Sequence, residues 1–169
     1  MDADNNRGFH TVRGYELLQK STDRLTPAME DYLEMVYRLC MESQYTRIGR
    51  LSEALHVLPS SVSKMILKLS EKGFVEYDKY EIILPTQKGK DAGAYLMHRH
   101  QIMERFLALI HSTDVLQEAE LIEHVVSPPT VELIHVLLGF FEENDQAKTA
   151  LQAYQKLKIK DLGTKGASV

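Results

Sequence analysis

The chain has 169 residues, is 44% apolar, carries a single cysteine and has a formal net charge of −4. That size fits one domain or two small ones with packed cores, and lone Cys40 excludes an internal disulfide framework and suits a reducing cytoplasm. No apolar run is long enough to span a bilayer, and the acidic start Met1-Asp2-Ala3-Asp4 is no secretory signal, so a cytoplasmic protein without a membrane partner is expected.

Residues 1–24 show no sustained periodicity and read as an N-terminal arm. Thr26-Pro27 is an N-cap followed by proline at the first helical position. Met29, Tyr32, Leu33, Val36, Tyr37 and Cys40 then recur at helical spacing to about residue 43, which assigns Cys40 to packing. Asp31, Glu34 and Arg38 share the opposite, polar side. A second amphipathic helix covers residues 47–55, and a third begins near Ser60 with Val62, Met65, Ile66 and Leu69 inward and Ser61, Lys64 and Lys68 outward. Gly73 ends it. Two short strands on either side of Asp78-Lys79 predict a β-hairpin or wing. Thr86 can cap a long helix to about residue 110. Asp114 with Gln117 resembles a capping box for the next helix. Ser127-Pro128 caps the last clear helix, to about residue 143, which carries Leu133, Ile134, Leu137, Leu138, Phe140 and Phe141. Residues 146–169 form a lysine-bearing C-terminal tail with a final helical stretch that frays.

The expected fold is therefore mainly α: an N-terminal winged helix-turn-helix domain (residues 25–90) followed by an all-helical domain (residues 91–145). The second unit is too small to bury its large apolar side chains alone and should pair with a second copy, which makes it a dimerisation domain.

Charge is divided between these units. Residues 47–72 hold five Lys/Arg and two acids, whereas residues 114–145 hold eight acids and neither Lys nor Arg. A basic docking face and a separate acidic region follow. Amphipathic helix triplets are common as plain structure, but the run Pro59-Ser60-Ser61-Val62-Ser63-Lys64 favours DNA. Small hydroxyls at Ser60, Ser61 and Ser63 let a helix approach base edges and phosphates closely, and Arg47, Lys64 and Lys68 add phosphate contacts.

The acidic chemistry is a set of six: Asp31, Glu34, His100, Glu120, Glu123 and His124. Asp31 with Glu34, and Glu120 with Glu123 and His124, lie on single helix faces by their spacing. Singly, each group reads as a solvated face. Jointly, four carboxylates and two imidazoles suit hard or borderline divalent ions, and two such ions would neutralise the four negative charges. Glu104, one turn after His100, is either an outer partner of that histidine or an ordinary surface acid. The remaining histidines, His10, His56, His98, His111 and His135, have no carboxylate in phase and are assigned to structure. A dinuclear carboxylate enzyme would usually take Glu-x-x-His from each of two helices, and only one such cluster occurs. A winged-helix regulator answering a small organic ligand remains a further alternative.

The run Met29-Glu-Asp-Tyr-Leu-Glu34, the segment Pro59-Ser-Ser-Val-Ser-Lys64-Met65, Arg99-His100 and Ile122-Glu-His124 resemble the manganese transport regulator branch of the diphtheria-toxin-repressor family. The resemblance covers about residues 25–145. It implies a homodimeric, metal-activated repressor that binds double-stranded operator DNA, with all six residues above as metal ligands and two Mn²⁺ per protomer. Iron-responsive members carry methionine at the position of Glu34 and cysteine at that of Glu120, so carboxylates there imply Mn²⁺ over Fe²⁺; an iron- or zinc-responsive regulator of the same fold is the nearest alternative. The chain departs from the family at the wing tip, where Glu81-Ile82 replaces an Arg-Gly pair.

Overall fold

The computed structural model describes residues 25–78 and 82–165. The expected N-terminal arm and the wing-tip residues Lys79, Tyr80 and Glu81 lie outside the described residues. In chain order the elements are α1 (Pro27–Ser43), α2 (Ile48–Leu55), α3 (Pro59–Glu71), β1 (Val75–Tyr77), β2 (Ile83–Pro85), α4 (Gln87–Leu109), α5 (Val115–Ile122), α6 (Pro128–Glu143) and α7 (Asp145–Lys165).

Local signals set most of the boundaries. Thr26 caps α1 by accepting from the Met29 N–H, Thr86 caps α4 by accepting from the Gly89 N–H, and Asp114 caps α5 by accepting from the Gln117 N–H. Each satisfies a donor that the first helical turn leaves unpaired. Ser127 makes no such bond; its hydroxyl pairs with that of Thr130 at 2.9 Å, and Pro128 supplies the helix start instead. Gly73, just beyond α3, has φ 73°, a left-handed conformation that glycine adopts without side-chain strain.

α1, α2 and α3 enclose one core with the wing. Leu33, Val36, Leu51, Val62, Ile66, Leu69 and Ile83 are each fully buried in it. β1 and β2 pair antiparallel with Glu76 opposite Leu84, and Thr46 extends this small sheet by exchanging backbone bonds of 3.1 and 3.0 Å with Ile83. Cys40 is half-buried against the same core, its thiol 3.7 Å from the Ile83 carbonyl, in keeping with a packing role.

α4 packs along α1 with its first half and against α5 and α6 with its second. Ile102, Val131 and Leu138 form a second cluster, and Met103, Leu107 and Ala119 a third, joined through Phe106, Val126 and Ile134. The division expected near residue 90 falls inside α4, which runs unbroken past it, so the two units share one helix. Gly93 permits the close approach of α4 to α1, since a Cβ there would lie 2.5 Å from the Tyr37 Cβ.

The final helix is longer than the sequence pattern suggests. It reaches Lys165 and is anchored on α4 by the Gln155 amide, which donates to the Leu109 carbonyl at 2.8 Å. α5 is shorter than the spacing argument needs, because it ends at Ile122 and leaves Glu123 as its C-cap. Glu123 nevertheless keeps helical angles (φ −60°, ψ −30°) and donates its N–H to Ala119, so the three acidic-region residues stay on one side. α6 leaves Leu133, Val136 and Phe140 more than half exposed, and beside it Leu121 and Val125 are exposed to a similar degree. An uncovered apolar face of that extent marks an interaction surface. No helix among the described residues is long and apolar enough to cross a membrane.

Candidate metal centre

α1, α4 and the end of α5 meet along one line, and each contributes charge to it. The apolar side of α1 (Met29, Leu33, Val36, Leu39) is committed to the core. Its other side therefore turns Glu30, Asp31 and Glu34 toward the second unit. α4 supplies Arg99 and His100, each 5% exposed, and Glu123 is only 1% exposed. Burying three ionisable groups so deeply is costly unless each meets an opposite charge.

Five of the six candidate ligands gather in two clusters that share one residue. Asp31, Glu123 and His124 place donor atoms within 4.8 Å of one another, and so do His100, Glu120 and Glu123. Glu123 belongs to both: its Oε2 lies 2.9 Å from His100 Nδ1, and its Oε1 lies 3.6 Å from Arg99 and 3.8 Å from His124 Nε2. Asp31 completes the first cluster at 3.0 Å from His124 Nε2. Glu120 is exposed at the open edge of the second.

Glu34, the sixth, is buried but occupied, accepting two bonds from Arg38 at 2.6 and 2.9 Å. Burial pushes its carboxyl up, against the pull of Arg38, and the neighbouring charges of Glu123 and His100 also act on it. It thus borders both clusters without entering either. Glu104 stands one turn beyond His100, with its oxygen 3.5 Å from His100 Nε2.

Two participants were not legible as such from spacing. Glu30 accepts from Arg99 at 2.9 Å and from His124 Nδ1 at 2.8 Å through a single oxygen. That shared acceptor explains why Arg99 and His124, both donors, sit 3.2 Å apart. Despite the cost of burial, His124 and Arg99 hold the Glu30 carboxyl below its usual range. The available signal was position: Glu30 adjoins Asp31, and an arginine directly before a candidate ligand histidine is placed to neutralise the same carboxylates.

The hydrogen bonds that His124 donates to Asp31 and Glu30 push its imidazole up to about 10, and the bond to Glu123 pushes His100 up as well. Without a metal, the protein therefore balances its carboxylates with its own cations: Arg99, Arg38 and the protonated His124 imidazole, with His100 biased toward its charged form. A donor set rich in carboxylate oxygen with two imidazoles, closely spaced and partly buried, fits hard or borderline divalent cations. Coordination requires neutral imidazole, so binding must expel protons. Calorimetry at pH 7 in buffers of different ionisation enthalpy is expected to show release of about one proton per chain from His124, plus a share from His100. Affinity for a divalent ion should rise about tenfold per pH unit in the neutral range; buffer-independent heats and a flat pH profile would contradict this. The sign for stability is opposite. A His raised from 6.5 to about 10 stabilises the metal-free fold fully below 6.5 and loses that contribution as pH rises through about 10.

The basic face belongs to the other unit. Ser60, Ser61, Lys64 and Lys68 are exposed on α3, and Arg47 is exposed at the start of α2 with its guanidinium 5.6 Å from the Tyr45 ring centre. Ser63 is only half-exposed, and its hydroxyl donates to the Pro59 carbonyl at 3.0 Å.

A winged helix-turn-helix unit that shares one continuous helix with a charged metal-type centre is the arrangement of a metal-responsive repressor, and the comparisons with known proteins agree. Residues 24–82 match the iron dependent repressor N-terminal DNA binding domain, and residues 86–151 match the metal binding and dimerisation domain of the same family. The chain belongs to the iron dependent repressor family: it is a DNA-binding transcriptional regulator with a metal-binding and dimerisation domain, and not an enzyme. It is 41% identical over 133 residues to the HTH-type transcriptional regulator MntR of Bacillus pumilus (strain SAFR-032), covering 78% of this chain and 92% of that one. The MntR of Bacillus subtilis (strain 168) is likewise 41% identical over 133 residues, covering 78% of this chain and 94% of that protein. Among solved structures, the manganese regulator SloR is similar with a TM-score of 0.60 and 32% identity over 69% of this chain. A manganese-dependent transcriptional repressor in complex with manganese gives a TM-score of 0.57 and 32% identity over 66% of this chain. The match spans about half of each of those solved chains, 55% and 53%.

Proposed function

We propose that this protein is a manganese-responsive transcriptional repressor of the cytoplasm that binds double-stranded operator DNA as a metal-activated homodimer. One observation carries the reading: Glu123, at the end of α5, is common to two clusters that reach α1 in the DNA-binding unit and His100 on α4. Residues 25–90 would form the DNA-binding unit, residues 91–145 the metal and dimerisation unit and residues 146–169 a C-terminal extension. Asp31, Glu34, His100, Glu120, Glu123 and His124 would hold two Mn²⁺ per protomer, with Glu34 first leaving Arg38. Bound Mn²⁺ would supply, between the units, positive charge that the metal-free chain draws from its own arginines and the protonated His124. Carboxylates at 34 and 120 favour Mn²⁺, which sits lowest in the general affinity order and is best served by hard oxygen donors.

The residues of α1 and α5 do the coupling. Asp31 and Glu34 ride on the same helix that packs against α2 and α3, so their partners across the gap fix how α3 is presented. In a dimer, two copies of α3 must meet major grooves about 34–36 Å apart, and Ser60, Ser61, Ser63, Lys64, Lys68 and Arg47 would make the contacts. The exposed apolar face of α6 suits a second copy of the chain.

The test is binding to a promoter fragment from a manganese-uptake gene at fixed salt, with and without Mn²⁺. Mn²⁺ is expected to raise DNA affinity at least about tenfold, within the usual range of such couplings. Equal affinity in both states would overturn metal activation. Lys64→Ala should weaken binding in the Mn²⁺ form and lower the salt slope by about 1 while leaving Mn²⁺ affinity of the free protein intact.

A further inference from the structure

Two histidines outside the acidic centre meet across α4 and α6. His98 and His135 have ring centres 5.3 Å apart with their planes at 61°. His98 is exposed and His135 half-buried, with its Nδ1 buried and lacking a hydrogen-bond partner among the described residues. One turn earlier on α4, the Tyr95 hydroxyl is also buried without a partner among them. One turn earlier on α6, Glu132 is exposed and shares the His135 face of that helix, so His135, contrary to the expectation from sequence, does have a carboxylate in phase. Its charge reaches the Tyr95 phenol, which burial, the larger cause, already pushes up.

Polar atoms buried without partners are uncommon, and each points to a bound water, an ion or a functional demand. Here the unsatisfied atom is an imidazole nitrogen beside a second imidazole. Two imidazoles on one tetrahedral ion, with N–Zn distances of about 2.0 Å, have ring centres about 5 Å apart. The ring spacing of this histidine pair is compatible with a shared ion and no cation of the protein needs to leave, but Glu132 does not already converge with both rings and would have to turn in to complete the set. A site with two imidazoles and one carboxylate suits Zn²⁺, Ni²⁺ or Cu²⁺ far better than Mn²⁺.

We propose that His98, His135 and Glu132 form an accessory site for a borderline divalent ion of the Zn²⁺, Ni²⁺ or Cu²⁺ class, separate from the acidic centre. Its position gives it a consequence. α4 belongs to both units and α6 carries the uncovered apolar face, so an ion held by His98 and His135 staples that face to the helix linking the units. The chain would then sense a second class of metal through a different pair of helices.

The test titrates ZnCl₂ into the full chain carrying Glu123→Ala, which disables both acidic clusters, at pH 7.5 with calorimetry. A Zn²⁺ event of about one ion per chain is expected to remain. Adding His98→Gln, a change at an exposed position, should weaken it at least about tenfold, since even outer partners of metal ligands are worth that much. In parallel, long-range ¹⁵N–¹H spectra of the otherwise wild-type chain, with Zn²⁺ added beyond saturation of the acidic centre, should shift the ring nitrogens of His98 and His135. Those of His56 and His111 should stay in place. Zn²⁺ binding unaffected by His98→Gln, or unmoved His98 and His135 nitrogens, overturns the site. The single variant His98→Gln, with the acidic centre intact, should keep Mn²⁺-dependent DNA binding. Loss of that response would instead join His98 to the acidic centre and overturn a separate site.

Discussion

Glu123→Gln is expected to abolish the Mn²⁺ response altogether, leaving DNA affinity at its metal-free level at every Mn²⁺ concentration that wild type answers. Losing Asp31 or Glu120 removes a donor from one cluster, whereas losing the Glu123 carboxylate removes a donor from both. The loss in Mn²⁺ affinity should exceed about a hundredfold, the upper end of what outer partners alone contribute. Metal-free stability should fall too, because Arg99 and the His100 imidazole face that carboxylate in a buried setting. Breaking a buried pair by removing one partner costs about 3–5 kcal/mol. Glu123→Gln behaving like Glu120→Gln in Mn²⁺ affinity would remove the idea of a shared carboxylate.

Arg99→Ala should separate stability from metal affinity in opposite directions. Arg99 is the buried cation that faces Glu30 at 2.9 Å and Glu123 at 3.6 Å. Without it, the metal-free fold keeps the buried Glu123 and the half-buried Glu30 short of a counter-charge, and a loss of about 3–5 kcal/mol is expected. For a chain of this size the midpoint of thermal unfolding should fall on the order of 10 °C. The same deletion removes a positive charge from a site built for cations. Mn²⁺ should therefore bind at least about tenfold more tightly, since a 1.4 kcal/mol change in interaction already suffices. Thermal scans at matched Mn²⁺ should show a larger upward shift in the variant than in wild type. A smaller shift would mean that Arg99 orients the ligands more than it competes with the metal.

Helical periodicity and capping residues made the elements legible, because those signals are local. Thr26, Thr86 and Asp114 each cap the helix they were expected to cap. The outward set on α3 followed from the inward one, apart from Ser63, whose hydroxyl turns back to Pro59. Local patterns reveal which face a residue occupies, and say little about what that face meets. Glu34 shows the limit: its i+4 neighbour Arg38 was visible on the same polar side, yet their pairing competes with the role its spacing suggested. The pairing of Glu30 with Arg99 was not legible because it is a contact between distant parts of the chain. His98 and His135 escaped for the same reason. The early end of α5 at Ile122 lay beyond pattern reading, because Glu123 keeps helical angles after the helix has stopped.

The unbroken run of α4 also bears on how such a chain can vary over evolution. Gly93 fixes one point of the helix against Tyr37, and His100, two turns on, must face Glu123. Adding or deleting one residue between them would rotate the rest of the helix by about 100° and carry the imidazole away from its carboxylate. Loops elsewhere can lengthen without such a penalty. Insertions should therefore accumulate at 110–114 or beyond 143, while the stretch from Gly93 to His100 keeps its length even where its residues change.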